Sequence, residues 1–316
     1  MHLPIAPEGS TALNRALPTL APGSVVDVIA PGSACSQADL EAGLAVLESW
    51  GLKARVPRDL FGPKYIYAHD DDVRWRHLRK ALVARDSRAV WCVRGGYGSL
   101  RLLDRLGRLK VPPEPKLLIG FSDVTALHIP LTEIWRWPVL HGPVLAQVGR
   151  GEPSARHLAE TRRVLLGQQR SLEFDRLELL APVRKRTVRG RLAGGNLKTV
   201  QSLHGTPWAL KPSPSILFFE DVNERGYSLD RILQQLRLSG VFDRTRAMVL
   251  GDFARGVEPN GRSLWRRVFS EFAQSVKFPV LAGMPVGHGR RLRPLPLGLE
   301  GELALSAQPR LSLMWD

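Results

Sequence analysis

Along the first half of the chain, short continuous apolar runs alternate with segments whose apolar residues recur every three or four positions. Residues 25–30 (VVDVIA) read as a buried strand stopped by Pro31-Gly32, and Ser36 followed by Asp39 has the form of a capping box. Leu40, Leu44 and Leu47 then share one helical face, and Gly51 suits that helix's end. Trp75, Leu78 and Leu82 predict a second helix, leading to a strand over 89–93, the turn Gly95-Gly96-Tyr97-Gly98 and a short helix over 100–106. Residues 116–119 are a further strand and 124–135 a further helix. Repeated strand-then-helix units with non-alternating apolar strands predict an α/β fold whose parallel sheet is covered on both faces.

The rhythm breaks between about 150 and 185. A polar, Arg-rich helix over 154–166 is followed by Gly167-Gln168-Gln169-Arg170, which reads as a domain connection. Beyond it, 216–219 and 247–250 look like buried strands, and two helical stripes appear: Leu229, Ile232, Leu233, Leu236, then Leu264, Val268, Phe269, Phe272. The chain closes on short alternating segments at 303–305 and 311–313. No internal repeat or low-complexity tract interrupts it. The expected organisation is two α/β domains, 1–165 and 166–316.

Composition narrows this picture. With 316 residues, 44% hydrophobic and 24% charged, the chain is that of a globular protein of one or two domains. No apolar run approaches the roughly 18 residues that span a bilayer. Residues 1–7 lack the basic and apolar regions of a secretory signal. Cys35 and Cys92 are too few for a disulfide framework or zinc site. A soluble, cytoplasmic protein is expected. The net charge of +15 is carried mainly by arginine: of 45 basic residues 9 are Lys, leaving 45 − 9 = 36 Arg. These are scattered, with short clusters such as Arg184-Lys185-Arg186 and Arg290-Arg291. No nucleic-acid-binding motif or interleaved aromatic residues accompany them, so a solvated basic surface is expected rather than specific nucleic-acid binding.

Three loci offer chemistry, each where a strand is expected to end, which is where open α/β sheets bind ligands. In Gly120-Phe121-Ser122-Asp123 a serine lies on a strand-to-helix turn. There it is either a presented nucleophile beside free helix N–H groups or simply an N-cap. In Arg94-Gly95-Gly96-Tyr97-Gly98-Ser99, consecutive glycines let backbone N–H groups approach a ligand, or merely form a tight turn. The third pairs Phe218-Phe219-Glu220-Asp221 with Val286-Gly287-His288-Gly289. A histidine near neutrality can take and return a proton, and a carboxylate on its far nitrogen would fix its tautomer. The other histidines (His2, His69, His77, His128, His141, His157, His204) show no metal-binding spacing. The order Ser, Glu, His is one of several assignments these residues allow.

Six segments in this order together resemble the LD-carboxypeptidases, the murein tetrapeptide carboxypeptidases with the microcin C self-immunity hydrolases as relatives. They are Val93 through Ser99 (VRGGYGS), Ile119 through Ala126 (IGFSDVTA), Leu192 through Leu197 (LAGGNL), Gly205-Thr206-Pro207, Phe219-Glu220-Asp221 and Gly287-His288-Gly289. The resemblance runs from about Val25 to the C-terminus and implies an N-terminal Rossmann-like domain and a C-terminal α/β domain with the active site between them. It further implies a serine carboxypeptidase with Ser122 as nucleophile, His288 as general base and acid, Glu220 orienting it, and an oxyanion hole from the Gly96 and Asp123 N–H groups. The implied substrate is a murein tetrapeptide cut at its terminal D-alanine during cytoplasmic cell-wall recycling, by a homodimer without cofactor or metal. A second reading within the resemblance is an immunity-like hydrolase of peptidyl or aminoacyl nucleotides, with Trp208, Trp135 or Trp137 as an aromatic platform or as core. The sequence departs from the family after Gly289, where Arg290, Arg291, Leu292 and Arg293 stand. One of these arginines is either a bidentate reader of a substrate carboxylate or part of a solvated basic turn.

Overall fold

The structure, a computed structural model, describes residues 16–63, 66–183, 186–289 and 291–316; the reading of residues 1–7 and those of Arg184, Lys185 and Arg290 lie outside them. The first sheet contains β1 (Val25–Ile29), β2 (Lys53–Arg55), β3 (Ser87–Cys92), β4 (Leu117–Gly120) and β5 (Val139–His141). These five run parallel in the spatial order 2-1-3-4-5, as in doubly wound folds. β1, β3, β4 and β5 are almost wholly buried, which is why their sequences are apolar without alternation. Ser36 caps the helix Gln37–Ser49 by accepting the Asp39 N–H at 3.1 Å, and Gly51 after it has φ 75°. Both features follow the expected capping chemistry.

The second sheet comprises β6 (Ser171–Phe174), β7 (Glu178–Leu179), β8 (Thr187–Asn196), β9 (Ser215–Val222), β10 (Ala247–Ala254) and β11 (Val280–Ala282), together with two strands from the chain's end. Of the remaining strands β12 (Leu295–Leu297), β13 (Glu300–Ala304) and β14 (Arg310–Met314), the last two complete this sheet. Its centre, β8-β9-β10-β11, is parallel, while β6, β14, β13 and β7 are joined antiparallel. β12 instead crosses back and pairs antiparallel with β5, putting three late residues on the edge of the first sheet.

The sheets are fastened to each other by polar contacts. Arg191 of β8 donates to Thr132 O at 3.0 Å and to the Glu133 carboxylate at 2.5 Å, both on the helix Thr125–Glu133. The carboxyl ends of β4 and β8 meet as well: Thr125, soon after β4, accepts the Asn196 N–H at 3.0 Å.

Candidate active site

The first sheet supplies a serine on a forced turn. β4 ends at Gly120, and Ser122 opens a short 3-10 turn over Ser122–Val124 with φ 63°, a left-handed conformation rare for a residue with a Cβ. Gly95 lies against it: a Cβ there would come within 2.9 Å of Ser122 Cβ and 3.3 Å of its Oγ. Gly96 has φ 84°, and a Cβ on it would collide with the Ser33 side chain. Ser33 straddles the switch point between β1 and β3. Its N–H donates to Gly95 O at 2.9 Å, its Oγ accepts the Tyr97 N–H at 3.2 Å and donates to Ile66 O at 2.7 Å. The Asp123 carboxylate holds the same loop from the other side, accepting the Ser99 N–H at 2.9 Å. Burial raises the Asp123 pKa, and hydrogen bonds from Ser99 and Gly98 oppose that rise. The fully buried Arg74 donates to Pro31 O, Gly98 O and His69 O and pairs with Asp71, so one guanidinium ties the loops after β1 and β3 together. Among the described residues no protein acceptor takes the Gly96 N–H. The Asp123 N–H belongs to a helix's opening turn, where amide donors lack intrahelical partners.

The second sheet and the turn at His288 supply a carboxylate–imidazole pair. Adjacent strand ends carry Asn196 on β8, Glu220 and Asp221 on β9, and Asp252 on β10. Glu220 is completely buried; its Oε2 lies 2.5 Å from His288 Nδ1 and its Oε1 accepts Asn196 Nδ2 at 3.3 Å. A carboxylate there makes Nδ1 the protonated nitrogen and leaves Nε2 as an acceptor facing away from Glu220. Burial works against a charged His288, but the charge and hydrogen bond of Glu220, with Asp221 behind, outweigh it and raise its pKa above the ordinary imidazole value. Asn196 also donates to Asp221 at 3.1 Å, while its Oδ1 accepts Thr199 N–H at 3.0 Å as a helix cap. Burial and then the charge of Glu220 push the Asp221 carboxyl up to about 7, despite the Val222 and Lys198 N–H groups it accepts. Gly287, at φ 130°, is required on one side of His288, since a Cβ there would lie 2.9 Å from Glu220 Oε2.

The two halves meet. The His288 ring packs 4.6 Å, centroid to centroid, from Phe121, the residue before Ser122. Thr125 Oγ1, on the helix that follows Ser122, accepts the Asn196 N–H at 3.0 Å. The structure thus joins Glu220 to His288 and sets both beside the Ser122 turn. Among the described residues Ser122 Oγ makes no hydrogen bond; nucleophile-to-base bonds of this kind often close only with substrate bound. No three His, Cys, Asp or Glu side chains among the described residues converge as a metal ion would require.

Other expected residues fall elsewhere. Arg293 forms a bidentate pair with Glu160 at 2.8 and 2.7 Å, donates to Glu173 O and lies over the Phe174 ring. It is a structural clamp and not a free reader of carboxylates. Arg291 is 60% exposed, with Asp252 as a loose partner at 4.0 Å. Trp135, Trp137 and Trp208 are all buried in the core, which removes them as a stacking platform. Ser33, Arg74, the bridging role of Asn196 and Asp252 escape a reading of the sequence by motif. For Asp252 a signal exists: it closes the apolar run 247–251 just as Glu220 closes 216–219.

Comparison with known proteins defines the class. Residues 26–142 match the LD-carboxypeptidase N-terminal domain and residues 189–303 the LD-carboxypeptidase C-terminal domain. The chain belongs to the LD-carboxypeptidase family and is a serine-type carboxypeptidase. Among its relatives, the murein tetrapeptide carboxypeptidase of Pseudomonas aeruginosa is 35% identical over 286 residues, 86% of this chain and 91% of that one. The crystal structure of muramoyltetrapeptide carboxypeptidase from Oxalobacter formigenes superposes with a TM-score of 0.82 at 29% identity, covering 93% of this chain and 99% of that one. The microcin C7 self-immunity protein MccF shares the fold, with a TM-score of 0.82 at 20% identity over 96% of this chain and 99% of its own. Among the described residues no helix is long and apolar enough to cross a membrane.

Proposed function

We propose that the protein releases the terminal D-alanine of murein tetrapeptides by cutting an L,D-peptide bond through an acyl-enzyme on Ser122. The observation that carries this reading is the 2.5 Å Glu220–His288 contact set against the residue preceding Ser122. In the first half-reaction His288 Nε2 takes the Ser122 proton as Oγ attacks the scissile carbonyl. The Gly96 and Asp123 N–H groups stabilise the oxyanion, and the proton passes from His288 to the departing amine of D-alanine. In the second, His288 takes a proton from water, hydroxide attacks the ester, and the proton returns to Ser122 Oγ. The relatives named for murein peptides support the substrate class, as does the burial of the three tryptophans that an aminoacyl-nucleotide hydrolase would have used for stacking.

The test is digestion of a muropeptide mixture read by mass spectrometry. Loss of one alanine from tetrapeptides is the expected result, and unchanged tetrapeptides beside hydrolysed aminoacyl sulfamoyl adenosine would reverse it. Ser122→Ala is expected to lower kcat by about 10⁴ to 10⁶.

A further inference from the structure

His288 sits on a turn pressed between two carboxylates. On one side a Cβ at Gly287 would meet Glu220, the ring's hydrogen-bond partner. On the other a Cβ at Gly289 would collide with the Asp252 carboxylate. Asp252 grips the same turn through its backbone: its N–H donates to Val286 O at 2.9 Å, and it bridges to Gly287 as if β10 had a further parallel neighbour. Gly251, just before it, leaves no space for a Cβ against Val286 O, the Phe218 ring and Glu220 Cβ. The Asp252 Oδ2 atom is buried and accepts no hydrogen bond of good geometry, although the Gly289 N–H lies beside the carboxylate and favours its ionised form. A buried oxygen in that condition is costly, and its place next to a candidate general base calls for a reason.

We propose that Asp252 is a positioning residue whose carboxylate, laid on the Gly289 backbone, holds the Gly287–Gly289 turn so that His288 stays bonded to Glu220 and faces Ser122. The proposal rests on the reading of Ser122 and His288 as the reacting pair. The groups facing Asp252 are Arg291, Glu220, His288 and the Gly289 N–H. Burial raises its pKa to about 6; Arg291 opposes the rise and Glu220 adds to it. Above that pH Asp252 is an anion near His288, so it also favours the imidazolium.

Two variants test this against the murein tetrapeptide and a fluorophosphonate that labels Ser122. Asp252→Ala should lower kcat about 10- to 100-fold through misplacement of His288, with KM within about twofold. Asp252→Asn keeps the shape, so kcat should stay within about threefold. Its lost charge should move the acid limb of the pH–rate profile to lower pH, a displacement a purely structural role would not produce. If wild-type Ser122 labels and Asp252→Ala retains full kcat, or the Asp252→Asn limb coincides with wild type, the proposal is overturned. A wild-type protein that never labels removes the nucleophile reading, and this proposal with it.

Discussion

At φ 63° the Ser122 backbone is strained by about 1 to 2 kcal/mol relative to an ordinary conformation, because its Cβ crowds the following carbonyl. Glycine escapes that strain, so Ser122→Gly should be more stable to urea than Ser122→Ala by about 1 kcal/mol, with both inactive. Equal stability of the two would show that the turn is not under tension. The Glu220–His288 pair leads to a pH prediction. With His288 as the proposed base, catalysis needs its neutral form, and its pKa is raised, so kcat/KM should climb with pH along a limb above the ordinary histidine value. In Glu220→Gln the raising influence goes while burial remains, so any residual activity should have its limb below that value. Ser122, Glu220 and His288 could be singled out in the sequence because each stands beside glycines or ends an apolar run, while the roles proposed for them came from the family resemblance. Ser33 and Arg74 could not be, because the backbone atoms through which they join the loops, Ile66 O and Tyr97 N for one and Pro31 O and Gly98 O for the other, lie far away in the chain, and nothing local marks such a partner.

Among the elements, most helices and the strands β1, β3, β4, β9 and β10 could be read from periodicity, since burial on one or both faces leaves a local pattern. β8 could not: Gly190, Gly194 and Gly195 and the alternating Arg189 and Arg191 break its run, and what makes it a strand is pairing with β9 and β13. β2 is three residues long and exposed or half-buried, and β12 carries Pro296, which a sheet tolerates at its edge, where β12 lies. The Arg293 clamp pins the segment between the His288 turn and β12. Removing it by Arg293→Ala leaves Glu160 largely buried without its partner, at a cost of about 3 kcal/mol in chemical denaturation. KM should be unchanged. A raised KM with unchanged stability would return Arg293 to the role of substrate reader.

For the whole molecule, the net charge of +15 is opposite in sign to the carboxylate ends of the proposed peptide substrates. Steering of that kind is screened over about 10 Å at 0.1 M salt, so kcat/KM should fall as ionic strength rises while kcat holds steady. A kcat/KM insensitive to salt would mean that the arginines serve the surface alone.

The return of β12 to β5 sets an order of events during synthesis. Until residues 295–297 leave the ribosome, β5 has no neighbour on one side and the first sheet presents an open edge. Nascent chains halted before that point should therefore be prone to strand-to-strand association, while those only slightly longer can cover the edge themselves.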